Sequence, residues 1–441
     1  MIKTLTVTDI KSDAAKLRNS ITSKISDELI VRTKSIMDDI SKYGDSAVKR
    51  YTEQFDGVKL NLLKVTDEEI RQAYSKVSRN QIRSIRVIKE RLTKIERALW
   101  SSIQQEIMIS SHGVRIERLV QPISSVGCYI PGGNTQHYPS TIVMCAIPAK
   151  IARVKRIVAT SPPLKDGTVD PLTLVAADIC GIDEFYKVGG AQGIIAMALG
   201  TSSIRRVSKI VGPGGMFVTI AKILASSRVS IDMVAGPTEL LVYADSSADP
   251  RLITLDLISQ AEHSYDTFCG LVTTSKKLAT EVKNHMRSIL NNNNNDSIIT
   301  RSDIVKKSME QNGFIAVCKN QPAAIDFVNE IAPEHLEIMT KNARTVSKKI
   351  ISAGLVLIGK YTPSSASDYC LGSNHVLPTL GFGKSRTSLS VLDFIRIANT
   401  VEASKPGLKK VQLALKEITL AEGLMNHYEA VKERIDNDDD K

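Results

Sequence analysis

Apolar positions recur at helical spacing through the first hundred residues, then change to short β-branched runs after about residue 117. Ile82, Ile85, Ile88, Leu92, Ile95 and Leu99 fall three or four apart, the period of one face of an amphipathic helix. Asp38-Asp39-Ile40 and Asp67-Glu68-Glu69-Ile70 place acidic side chains where a helix dipole favours them, in a first turn. Residues 1–26 therefore read as a short polar helical arm, and 27–100 as a helix-rich stretch. Farther along, each apolar run ends in a Gly/Pro turn and is followed by an Ala-rich helical segment. Arg156–Thr160 precedes Ser161-Pro162-Pro163, Phe185–Val188 leads into Gly189-Gly190, and Lys209–Val211 into Gly212-Pro213-Gly214-Gly215. That alternation predicts a parallel sheet covered by helices. It recurs with strand candidates Leu240–Tyr243, Gly270–Thr273, Phe314–Cys318 and Leu355–Ile358. Two α/β units follow, one strung from 134 to 237 and the other from 238 onward. After about 392 the pattern turns helical again. The Asn291–Asn295 run reads as a loop tip, and Asp436–Lys441 as a frayed acidic end.

Charge changes this picture little. The 441 residues carry 58 Lys+Arg against 47 Asp+Glu, a net charge of +11. Nine of the basic residues lie between Arg71 and Arg97 with only two Glu, on the helical segment just described. No set of aromatic side chains interleaves with them as a base-stacking surface needs, Tyr74 standing alone, so a solvated helix face is expected and nucleic-acid binding is a remote alternative. No apolar run of about 18 residues is present to span a membrane, and the N-terminus lacks a signal-peptide core. The six cysteines are scattered without a Cys-x-x-Cys pair, which argues for a reducing, cytoplasmic setting and against a thiolate zinc site.

Candidate chemistry concentrates in turns and histidines. Gly127–Gly133, Gly189-Gly190-Ala191-Gln192 and Gly212–Gly215 each follow a strand-like run, where backbone N–H groups can approach an anion; none is the G-x-G-x-x-G fingerprint. Among seven histidines, two occur as Glu262-His263 and Glu334-His335, and a third in Gly372-Ser373-Asn374-His375. A Glu-His pair after Pro333 at a strand start sets a carboxylate beside an imidazole, the pairing that acid–base chemistry uses. Gln260 and His263, three apart, share a helical face, a spacing that suits two ligands of one metal.

The ordered motifs carry more than any one of them. Ile231–Asp245 (IDMVAGPTELLVYAD), continuing to Asp256–His263 (DLISQAEH), resembles the long signature of histidinol dehydrogenases. So do Tyr129–Gly133, Val188–Gln192, Ala332–Leu336, Ser367–Tyr369, Ser373–Thr379 and Glu422–Leu424, and the likeness runs from about residue 30 to 430. The resemblance implies an α/β fold of two incomplete Rossmann-like parallel-sheet domains with small helical N- and C-terminal segments, in an intertwined homodimer. The segments expected are an arm over 1–26, a metal and acid–base domain over 27–133 plus 238–391, a cofactor-side domain over 134–237, and a tail over 392–441 that reaches the partner.

It implies one Zn2+ per subunit held by Gln260, His263, Asp368 and His427, and a two-step NAD-dependent oxidation of L-histidinol through L-histidinaldehyde to L-histidine. His335 would take the alcohol proton and Glu334 would activate water for attack on the aldehyde. Thr238, His375 and Glu422 match substrate-contacting positions alongside Gln260, His263, Glu334, His335, Asp368 and His427. Tyr129, Gln192 and Gly215 match cofactor contacts. By the same likeness Glu422 and His427 act in trans. Two departures fall on the cofactor side. Gly215 stands where the family usually has Asn, and the 134–138 loop is one residue longer than usual. A paralogous zinc- and NAD-dependent dehydrogenase acting on another polar vicinal alcohol is the alternative at this stage.

Overall fold

The computed structural model describes residues 2–22, 26–104, 107–133, 136–291 and 300–436. Asn292–Asn295 of the asparagine run, Asn134 and Thr135 of the long loop, and the 437–441 end lie outside the described residues. Fourteen strands are assigned among them: β1 (Lys3–Thr6), β2 (Ile107–Ser111), β3 (Val114–Pro122), β4 (Ser125–Tyr129), β5 (Arg156–Thr160), β6 (Glu184–Tyr186), β7 (Lys209–Val211), β8 (Ser230–Ile231), β9 (Glu239–Ala244), β10 (Phe268–Thr273), β11 (Phe314–Val317), β12 (His335–Met339), β13 (Leu355–Ile358) and β14 (Ile395–Ala403). The chain divides into a first unit, Met1–Arg97 with Ser124–Phe394, and a second, Ala98–Ile123 with Ile395–Lys441.

The first unit holds two parallel sheets, ordered β1-β11-β10-β9-β12-β13 and β6-β5-β4-β7-β8. Their central strands β4, β5, β9, β10 and β12 are buried along their whole length. That is the reason they read as continuous apolar runs and not as alternating ones. Helix starts are set by local chemistry. Thr66 and Glu69 form a reciprocal capping box on Asp67–Ser75, and Asp170 and Asp249 cap helices that open with proline.

Three sequence expectations are corrected here. Residues 1–26 are not wholly helical: Lys3–Thr6 adds an edge strand to the six-stranded sheet, beside β11, before the helix Ile10–Thr22. Polar side chains suit an exposed edge, so the segment carries little apolar signal. The helices Asp27–Tyr43 and Asp45–Asp56 and the strand β4 belong with the five-stranded sheet, although the sequence assigns 27–133 to the other domain. Ile36, Ile40, Val48 and Tyr51 share a core with Tyr129, Tyr186 and Val188, and β4 pairs with β5 and β7. Finally, Ile395–Ala403 is a strand and not part of a helical tail. It pairs antiparallel with β3 along all nine residues, and β2 completes a three-stranded sheet in the second unit. Most of the basic stretch is the helix Arg79–Ile103, whose Ile85, Ile88 and Leu92 are buried while Ile95 and six of its seven Lys/Arg are exposed. Among the described residues no helix is long and apolar enough to cross a membrane.

Candidate active site

The chemistry gathers at the amino-terminal edge of the six-stranded sheet. Thr238 immediately precedes β9 and Glu334 immediately precedes β12, which opens on His335; the two strands are paired with His335 beside Leu240. Thr238, His263, Glu334, His335, Asp368 and His375 line one cavity of about 340 Å3. Its opposite wall is Pro213–Met216, the turn leaving β7 of the other sheet, so Gly215 faces the same space.

Hydrogen bonds tie these groups into one array. Thr238 Oγ1 donates to Glu334 Oε2 at 2.8 Å and accepts from Gln260 Nε2 at 2.7 Å. The Glu239 N–H gives the same Glu334 oxygen a second donor at 2.6 Å. His335 Nδ1 donates to the Glu239 carbonyl at 3.1 Å and Nε2 to Asp368 Oδ1 at 2.9 Å, since both partners can only accept, so the ring carries a proton on each nitrogen. Asp368 follows the short helix Ser364–Ser367, and Ser364 N–H is anchored on Glu337 Oε1 at 2.6 Å. His375 donates from Nδ1 to the Asp368 carbonyl at 2.8 Å, and its Nε2 meets Thr141 Oγ1 at 3.1 Å.

Burial sharpens the electrostatics, with Glu334 6% and His335 2% exposed. Desolvation works to strip the proton from His335, but the charges and hydrogen bonds of Asp368 and Glu334 outweigh it and hold its pKa well above the ordinary histidine value. His263 goes the other way: burial lowers its pKa despite nearby Asp368 and Glu334, which leaves a neutral imidazole, the form that binds metals. Asp368 is driven up by burial, yet the neighbouring His335 brings it below the usual carboxylate range. Beneath the site, burial pushes Glu337 up to about 8 and Asp256 up to about 6, so this adjoining pair keeps a proton between them at neutral pH.

The remaining predicted residues are placed differently. Tyr129 is buried, with its hydroxyl accepting the Gly190 N–H at 3.0 Å, and Gln192 is buried with Oε1 unpartnered among the described residues; neither lines the cavity. Gly215 has φ −68° and open space where a Cβ would stand, so its backbone tolerates the side chain it lacks. Gly212 does require glycine: φ is +118° and a Cβ would lie 2.2 Å from the Tyr129 carbonyl. A buried Lys222–Asp232 ion pair grips this residue, with Asp232 Oδ2 accepting its N–H at 2.8 Å and Lys222 Nζ donating to its carbonyl at 3.1 Å. Glu422 and His427 are exposed residues of the second unit.

A zinc ion fits the donor types present. Gln260 Oε1 has only a long 3.5 Å contact from Ser364 Oγ while its Nε2 is held by Thr238; His263 offers a neutral imidazole and Asp368 a carboxylate. Among the described residues no group of three or more His, Cys, Asp or Glu is arranged to hold a metal by itself. The carboxamide and a donor from elsewhere would have to complete the set. Sequence reasoning passed over Glu239, Glu337, Lys222, Asp232 and Arg18. All five act through backbone groups or through a partner's charge, which residue type and spacing do not reveal.

The histidinol dehydrogenase family model matches residues 20–435. A histidinol dehydrogenase of Methanocaldococcus jannaschii is 40% identical over 93% of this chain and 93% of its own. The chain belongs to the histidinol dehydrogenase family. Another histidinol dehydrogenase, from Clostridium acetobutylicum, is 41% identical over 92% of each chain. The solved histidinol dehydrogenase of Elizabethkingia anophelis superposes with a TM-score of 0.90 at 33% identity, covering 98% of both chains. The activity is that of a histidinol dehydrogenase, EC 1.1.1.23, in histidine biosynthesis, and membership in the family implies an NAD-dependent dehydrogenase. That activity takes the place of the dehydrogenase of another vicinal alcohol as the reading of this chain.

Proposed function

We propose that this chain oxidises L-histidinol in two NAD+-linked steps, through L-histidinaldehyde to L-histidine, with Glu334 and His335 as its acid–base pair. The observation that carries the reading is the junction at Thr238, where one hydroxyl links a ligand candidate, Gln260, to the Glu334 carboxylate. The overall balance is one alcohol, two NAD+ and one water giving one carboxylate, two NADH and three protons. Gln260, His263 and Asp368, with His427, would hold one zinc per subunit. When bound, zinc orients the substrate's amino and imidazole nitrogens and competes with His335 for the Asp368 charge, while NAD+ accepts the hydrides.

His335 exchanges the alcohol proton at Nε2, since Nδ1 is committed to the Glu239 carbonyl. Glu334 has Oε2 occupied by two donors and Oε1 without a hydrogen bond among the described residues, so Oε1 is the atom that takes a proton from the attacking water. Thr238 and His375 face the substrate, and burial of both catalytic groups limits bulk water at the aldehyde stage. Gly215 lines the cofactor side of the cavity, with Tyr129 and Gln192 shaping the turns behind it. A second copy of the chain would complete the site with Glu422 and His427. Exposed Ile109, Val401 and Leu413 of the second unit supply apolar surface for that association.

The test is direct. Purified protein with Zn2+, NAD+ and L-histidinol should form NADH in a ratio near two per histidinol consumed. His335→Asn should abolish turnover with zinc still bound. A ratio near one with the parent, or loss of zinc from the His335 variant, overturns the assignment.

A further inference from the structure

The acid–base pair is held from behind by a buried carboxylate, Glu239, and by the guanidinium that pairs with it. Glu239 opens β9 and is fully buried, and it engages both catalytic residues at three points. Its N–H donates to Glu334 Oε2, its side-chain Oε2 accepts the Glu334 N–H at 3.2 Å, and its carbonyl accepts from His335 Nδ1. The other carboxylate oxygen, Oε1, accepts the Leu380 N–H at 2.8 Å and meets Arg18 Nη1 at 2.5 Å.

Arg18 comes from the N-terminal helix Ile10–Thr22, with its guanidinium 5.3 Å above the Phe268 ring and its side chain only 11% exposed. Its remaining donors cap the end of the helix Gln321–Ile331. Nε donates to the Ile331 carbonyl at 2.7 Å, where Nη2 also points, and Nη2 donates to the Ala332 carbonyl at 3.0 Å. Ala332 and Leu380 are two of the five non-glycine residues with positive φ among the described residues, at +48° and +57°. Both sit one bond from this clamp, and Ala332 is the left-handed turn that delivers Pro333-Glu334 into the cavity. Left-handed alanine is held by its surroundings and not by its own preference.

We infer that Arg18 and Glu239 are positioning residues for the reaction: the guanidinium neutralises Glu239 and fixes the Ala332 turn, and Glu239 in turn sets the place of Glu334 and the orientation of the His335 ring. Arginine is needed because one planar fork must reach a carboxylate and two carbonyls together, which a lysine ammonium cannot span. This rests on the reading above that Glu334 activates water in the aldehyde step. A carboxylate misplaced by about 1 Å loses roughly 10²-fold in rate, and the step that uses it suffers most.

The experiment compares Arg18→Ala, Arg18→Lys, Glu239→Gln and, as reference, Glu334→Gln in the zinc-loaded enzyme. Glu239→Gln sets an amide N–H against either the Glu334 N–H or the guanidinium, with little change of shape. Arg18→Ala and Glu239→Gln should lower kcat about 10²-fold with both KM values nearly unchanged and full zinc content. NADH per histidinol should drop from two toward one as aldehyde accumulates. Arg18→Lys should lie between these variants and the parent, and added guanidinium should partly restore Arg18→Ala. Parent-like kcat and stoichiometry in the Arg18 and Glu239 variants, with Glu334→Gln impaired, overturns the clamp and leaves the role of Glu334 standing. A kcat loss matched by lost zinc or by a collapsed melting temperature in all three also overturns it. A stoichiometry of two in Glu334→Gln overturns the underlying reading and the clamp with it.

Discussion

Replacing Thr238 by valine keeps the shape of the side chain and removes one hydroxyl, and with it both links of the junction. The lost donor to Glu334 is a hydrogen bond to a charged group at 2.8 Å, a class of interaction that contributes about 1.5–3 kcal/mol. At about 1.4 kcal/mol per decade, that corresponds to roughly 10–150-fold. The Glu239 N–H still holds the same oxygen at 2.6 Å, which favours the lower part of that range. The lost acceptor leaves the buried Gln260 amide without its 2.7 Å partner, a penalty of about 1–3 kcal/mol that falls on stability and on how firmly Oε1 is presented. Thr238→Ser keeps both bonds and serves as the control. Single-turnover oxidation of the aldehyde at saturating zinc, followed by NADH formation, isolates the first effect. Competition with a chelator isolates the second. Thr238→Val should be slowed in the first assay and lose zinc more readily in the second, with Thr238→Ser close to the parent. Equal behaviour of the two variants in both assays would refute the junction.

Two further outcomes follow from features away from the cavity. Glu96 is 4% exposed, with Oε2 accepting the Val391 N–H at 2.7 Å, and burial, aided by Asp393, raises its pKa to about 7 from 4.5. A carboxyl whose folded pKa is raised destabilises the fold when ionised, so the penalty is full above about pH 7, shrinks as pH falls and is gone near 4.5. Glu96→Gln should therefore stabilise by up to about 3 kcal/mol near pH 8.5 and by nothing near pH 4.5; an equal gain at both pH values, read by urea unfolding, contradicts the assignment. Separately, inactive His335→Asn and inactive His427→Ala chains, unfolded and refolded together, should regain activity in about one quarter of sites, because half of each mixed dimer pairs an intact body with an intact tail. No recovery would place His427 outside the partner's site.

Legibility in the sequence followed the physical range of each signal. The strands β5, β7, β9, β10 and β11 announce themselves because a parallel strand buried on both faces is largely apolar, and β13, half-buried at the sheet edge, does so because all four of its residues are aliphatic. Lys3–Thr6 and Ile395–Ala403 do not, since their side chains are largely exposed and the first pairs with a strand some three hundred residues away. The placement of β4 between β5 and β7 is equally invisible in one dimension, because sheet order is decided by which strands meet across the core.

By itself, the sequence determined the α/β class, the two parallel sheets, the family and the residue types available for chemistry, because periodicity, turn residues and ordered motifs are local in the chain. Tertiary structure alone decided that Thr238, Glu334 and His335 stand together at the amino-terminal edge of one sheet, facing the Gly212–Gly215 turn of the other. It also decided that a helix near the N-terminus supplies Arg18 to a carboxylate 221 positions away. The reason is that a buried charge is tolerated only beside its partner, and partners are chosen by distance in space and not along the chain.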